Sequence, residues 1–122
     1  MSETPEDKIE NFIHDQVAAW NARDKDKFFG LYRAACPGKM TIEYVGRPIE
    51  PDAWAVLENM WETSNALVDI DIVKTVVNAN EAACYHINRM PSRNLDIHTM
   101  ELYKFDGEDM WVKYLIKPEP VS

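Results

Sequence analysis

The chain has 122 residues, 46% hydrophobic and 28% charged, which suits one domain, 1–122, with apolar material enough for a core. Its net charge of −8 repels phosphate backbones and anionic lipid surfaces, so nucleic acid and membrane are poor partners. The polar, acidic start and the lack of a long apolar run predict a cytoplasmic protein without a signal peptide. Cys36 and Cys84 lie far apart without metal-ligand spacing and read as reduced thiols. The histidines and glutamates show no metal spacing either, and neither a metal nor a cofactor is expected.

Thr4-Pro5-Glu6-Asp7 opens a first helix: a capping hydroxyl, a proline suited to the first turn, and acids that favour the positive helix end. Ile9, Phe12, Ile13, Val17 and Trp20 then form a one-sided stripe at helical spacing. Asp24 caps a second, short helix that buries Phe28, Leu31 and Tyr32 and stops at Cys36-Pro37-Gly38. Lys39 to Val45 has strand composition, and Gly46-Arg47-Pro48 turns the chain. Pro51-Asp52 starts a third helix, with Trp54, Leu57 and Trp61 on one face.

The remainder reads as a β meander. Asp69 to Val77 is a strand, and Asn78-Ala79-Asn80-Glu81 a hairpin turn. Ala82 to Met90 follows, then the loop Pro91-Ser92-Arg93-Asn94 and the alternating strand Asp96 to Phe105. Asp106-Gly107-Glu108-Asp109 signals a second hairpin, and Met110 to Ile116 a last strand that Pro118 and Pro120 end. Helices followed by strands predict an α+β fold, with three N-terminal helices on one face of an antiparallel sheet.

Three stretches carry a resemblance: the junction Ala18-Ala19-Trp20-Asn21-Ala22-Arg23-Asp24, the hairpin Ala79-Asn80-Glu81-Ala82-Ala83, and Leu102-Tyr103-Lys104-Phe105-Asp106-Gly107. With the order of elements, they resemble the nuclear transport factor 2-like superfamily, closest to its ketosteroid isomerase and SnoaL-like cyclase branch. The resemblance implies a cone: a bent sheet around helices, a pocket in its wide end, and commonly a homodimer. It implies no single activity, because that superfamily holds isomerases, dehydratases, cyclases, hydrolases and plain binding modules.

Glu101 shares a strand face with Ile97, Thr99, Tyr103 and Phe105, where a carboxylate is costly unless protonated, paired or used. Periodicity leaves the opposite face, with His98, Met100, Leu102 and Lys104, open as the inward one. The resemblance turns Glu101 inward, to the place where ketosteroid isomerases keep an acid neutral to donate to an enolate, an enzyme known for that device. The bland alternative is a Glu101 paired with Arg89 or Lys113.

The resemblance also gives Glu43 the place of a proton-abstracting carboxylate, although such isomerases have Asp-Pro there and this chain has Glu43-Tyr44. A phenol of those enzymes corresponds to Gln16, a weaker donor, which argues against strict steroid isomerase activity. His86 would face inward with Cys84, Asn88 and Met90, as an auxiliary acid/base held by a carboxylate such as Glu43 or Asp71, or as a hydrogen-bonded core residue. His14 and His98 read as surface or interface residues. Cys84 lacks the electropositive setting a nucleophile needs and reads as a pocket filler. Trp20, Trp61, Tyr103 and Tyr114 serve as core and as pocket wall alike.

The expected function is a cofactor-independent isomerase, dehydratase or cyclase acting on a small hydrophobic carbonyl compound. Glu43 would be the base, Glu101 and Gln16 the oxyanion donors, and His86 an auxiliary group, all converging on one cavity. The rival is a non-catalytic homodimeric binding module, and a helper subunit of an oxygenase is a third reading. The second sheet face, with Tyr85, Ile87, Met100, Leu102, Trp111 and Leu115 rimmed by Arg89, Lys104 and Lys113, is expected to pair with a second copy.

Overall fold

The computed structural model describes residues 3–120, with side chains through 117. Helix α1 (Pro5–Asn21) starts in a full capping box, the Thr4 hydroxyl accepting from the Asp7 N–H and the Asp7 carboxylate from the Thr4 N–H. Helix α2 (Lys25–Ala35) is capped by Asp24, and α3 (Ala53–Ser64) by Asp52. The strands are β1 (Met40–Tyr44), β2 (Asp69–Asn78), β3 (Glu81–Met90), β4 (Leu95–Asp106) and β5 (Asp109–Pro120), with a short 3-10 turn at Pro91–Arg93. No helix among the described residues is long and apolar enough to cross a membrane.

The strands form one sheet in the order β1-β5-β4-β3-β2. Pairing is antiparallel except at one edge, where β1 runs parallel to β5. The sheet is the expected antiparallel one with this single parallel edge added. A parallel neighbour needs a long crossover, and α3 with the meander supplies it. A register shift between Ile72 and Lys74 leaves Val73 as a bulge, which adds bend and twist to β2.

The last strand also runs further than expected, through Pro118 to Pro120. The Tyr114 carbonyl accepts from the Val45 N–H, and the Met110 N–H bonds Lys39. Even-numbered residues of β5 thus turn their backbone groups towards the β1 side. Beyond Tyr114 that side has no β1 partner, so the two missing proline N–H groups break no ladder bond.

The helices bury their stripes against the concave face. Trp20, Phe28 and Trp61 form an aromatic cluster with centroids 5.0–5.6 Å apart, and the Trp20 indole N–H donates to the Val68 carbonyl at 2.9 Å. Leu57, Trp61 and Tyr103 are buried as expected, whereas Phe105 is half-buried at the rim, edge-on to Phe12.

Candidate functional site

Strand alternation sends Cys84 and His86 of β3, and Thr99, Glu101 and Tyr103 of β4, to the concave face, where all five are buried. The β3–β4 register pairs Cys84 with Glu101 and His86 with Thr99, so His86 and Glu101 are diagonal neighbours. His86 Nδ1 lies 2.9 Å from Glu101 Oε2, and the Tyr103 hydroxyl donates to Oε1 at 2.6 Å. Behind Tyr103, the Gln16 amide N–H donates to the Tyr103 hydroxyl, and the Tyr32 hydroxyl to the Gln16 carbonyl, both at 3.4 Å.

The direction of these bonds is informative. Every donor in the relay, from Tyr32 through Gln16 and Tyr103, passes its hydrogen towards Glu101. A carboxylate accepting there also accepts from the His86 Nδ1–H; in a neutral imidazole held this way, Nε2 is the acceptor nitrogen. Nε2 is buried and has no protein partner among the described residues; the same holds for Asn88 Oδ1.

These groups border a cavity of about 220 Å³. Gln16, Trp20, Phe28, Tyr32, Thr99 and Glu101 give it a buried floor, together with the fully shielded His86 ring. Met60, Ser64, Ile70, Ile97 and the exposed Ile116 keep solvent contact and frame its mouth. Tyr44 and Tyr114 stack in its wall, centroids 5.2 Å apart. Burial first, then the charges of neighbouring acidic groups, raises the Tyr114 phenol well above its ordinary range, and burial and Glu101 raise Tyr44. Both remain hydrogen donors at neutral pH. Burial and Glu101 push the Cys84 thiol up to about 12, so it is no thiolate nucleophile.

Of the residues expected at the site, His86, Glu101, Gln16, Trp20, Asn88 and Tyr114 border this cavity. Tyr103 stands behind Glu101, Trp61 behind Trp20, and Cys84 is sealed in the core. Glu43 does not converge with them. Met40, Ile42 and Tyr44 occupy the concave phase of β1, and Glu43 pairs in register with Lys113 on the convex face. Nor do the other expected partners meet: Arg89 binds Asp71 and Asp96, and neither Glu43 nor Asp71 holds His86. Tyr32, Tyr44 and Thr99 were missed, although Tyr44 shares its phase with Ile42, Thr99 with Glu101, and Tyr32 its helix stripe with Phe28. Among the described residues, no group of three or more His, Cys, Asp or Glu could hold a metal ion.

By sequence, no family model and no curated protein matches the chain. Solved structures match it by shape. A candidate SnoaL-like polyketide cyclase from a Jannaschia species aligns with a TM-score of 0.75 at 8% identity, over 96% of this chain and 91% of that one. A protein of unknown function from Burkholderia xenovorans, described as nuclear transport factor 2-like, aligns with a TM-score of 0.71 at 11% identity, over 98% and 90%. The fold is nuclear transport factor 2-like. A candidate ketosteroid isomerase from Kribbella flavida shares it with a TM-score of 0.66 at 9% identity, over 99% and 87% of the two chains. At such identities the nuclear transport factor 2-like likeness speaks for the fold, and the chemistry has to be argued from the site.

Proposed function

We propose that the protein is a cofactor-independent enzyme that moves a proton next to a carbonyl of a small substrate, with His86 as the base. The observation that carries this reading is the buried, unpartnered Nε2 of a His86 whose Nδ1 is held by Glu101. In the forward step Nε2 takes the hydrogen from the carbon beside the carbonyl. The C–H electron pair becomes the enolate, and its oxygen accepts from the protonated Tyr114 or Tyr44. The imidazolium so formed is stabilised by the Glu101 carboxylate. It returns the proton to another carbon for isomerisation, or to a leaving hydroxyl for dehydration. Glu101 is here the positioning carboxylate, and Gln16 and Tyr103 orient it.

The test is deuterium uptake beside the carbonyl of 2-hydroxycyclohexanone in heavy water, followed by NMR. The wild type accelerates uptake, His86→Gln lowers the acceleration by about 100-fold or more, and Glu43→Gln leaves it unchanged. Wild-type uptake no faster than in buffer overturns the enzyme reading in favour of the binding module. Full activity in His86→Gln removes the histidine from the base role.

The protein acts as a homodimer paired through the convex sheet face. This is supported by Val76, Met100, Leu102, Trp111 and Leu115, which lie exposed there. Light scattering that gives a monomer at micromolar concentration rejects the dimer.

A further inference from the structure

The cavity wall also restricts what can occupy it. His86 Nε2 and Asn88 Oδ1 are buried without partners among the described residues. Oδ1 is an acceptor, and so is Nε2 in a neutral imidazole held through Nδ1 by Glu101. They belong to residues two apart on one strand, hence about 7 Å apart along it. The Asn88 amide N–H donates to the Thr99 hydroxyl at 3.0 Å, which turns Oδ1 away from Thr99. A buried acceptor that has lost water and found no donor is costly, and a ligand hydrogen recovers that loss.

Charge and size narrow the choice further. No lysine or arginine is among the described residues lining the cavity, while Glu101 is, so an anion would enter without a counter-charge. An ammonium fares little better. Each Glu101 oxygen already has a donor, Tyr103 or His86, and desolvating a cation costs far more than desolvating a hydroxyl. The volume of about 220 Å³ lies below the roughly 300–1,000 Å³ of pockets for drug-sized ligands. An apolar cavity of about 150 Å³ holds one benzene ring, so this volume suits a single ring together with its substituents. The aromatic walls of Trp20, Phe28, Tyr44 and Tyr114 suit the faces of such a ring.

We infer that the cavity binds a neutral single-ring compound carrying two hydroxyl donors, one given to His86 Nε2 and one to Asn88 Oδ1. The inference rests on the neutral, Glu101-held His86 of the proposed function, and it needs binding rather than turnover.

Calorimetry on the full chain tests it with phenol, the three benzenediols (which scan the hydroxyl spacing), their dimethyl ethers, benzoate, benzylamine and 2,6-naphthalenediol. The best benzenediol binds about tenfold more tightly than phenol, the worth of one added hydrogen bond. Methylation removes that gain, and so does Asn88→Ala. In case that variant misfolds, the nitrogen-15 shift of His86 Nε2 in the wild type moves on adding the best benzenediol and stays still with its dimethyl ether. The proposal is overturned if phenol or a dimethyl ether matches all three diols. It is equally overturned if benzoate, benzylamine or the naphthalenediol binds more tightly than every benzenediol. Diol preference without deuterium uptake ends the proton-transfer reading and leaves the ligand class standing; uptake without diol preference does the reverse.

Discussion

Two histidines on neighbouring strands face opposite sides of one sheet, and they differ in what surrounds them. His86 on the concave face is fully buried, bonded to Glu101 at 2.9 Å and backed by Tyr103, Gln16 and Tyr32. His98 on the convex face is half-buried, bonded through Nδ1 to the Tyr85 hydroxyl at 2.7 Å and stacked on that ring. The bond lengths are similar. What separates the sites within one chain is dielectric: water reaches the half-buried His98 and can replace its lost partner, whereas on the concave side a lost partner leaves a bare polar atom. Charge, direction and an unmatched acceptor therefore carry functional weight at His86.

The largest effect that sharpens this contrast is expected from Glu101→Ala. It removes the shared acceptor of His86 and Tyr103 from a dry site, and each buried donor left without a partner costs about 1–3 kcal/mol. Urea unfolding should show a loss of that order. His98→Ala, on the convex side, should cost about 1 kcal/mol or less. Equal losses for the two would break the comparison.

Alkaline titration should give a smaller, graded effect. Burial raises Tyr103, Tyr114 and Tyr32 above the ordinary phenol value of 10.0 and lifts Cys84 from 9.0 to about 12. In each case the folded state holds its proton more tightly than the unfolded chain. Their contribution is therefore fully present below about pH 9 and is lost as pH rises, because the unfolded chain then binds fewer protons. Unfolding midpoints flat to pH 9 and falling above it are expected, and midpoints unchanged up to pH 11 would contradict the burial of these phenols. The same shift predicts that Cys84 resists iodoacetamide at pH 8 in the folded protein and reacts when it is unfolded in urea.

The smallest effect is expected at Glu43. On the convex face, opposite Lys113, Glu43→Gln should change stability by no more than about 0.5 kcal/mol in urea unfolding. A loss of several times that would mean a role the convex face does not explain.

The helix starts and the last hairpin turn were written locally. Thr4, Asp24 and Asp52 cap because a short oxygen side chain satisfies free helix N–H groups, and Gly107 turns the last hairpin in the left-handed region at φ 61°. The inward phase of Glu101 was open to periodicity, and resemblance settled it. In β1 the alternation of Met40, Ile42 and Tyr44 is present in the sequence and by itself turns Glu43 away from the concave face.

What the tertiary structure alone decided is which polar groups meet. His86 was legible as an acid/base candidate, yet its partner is Glu101 rather than Glu43 or Asp71. That follows from the β3–β4 register, which puts Thr99 opposite His86 and so brings Glu101 diagonally beside it. The parallel β1–β5 edge, which admits two prolines to the end of β5, is likewise a pairing of segments some 70 residues apart. Caps, turns and periodicities act over a few residues and can be read along the chain. Register and strand order arise from the summed burial of a whole face, and no short stretch of sequence contains them.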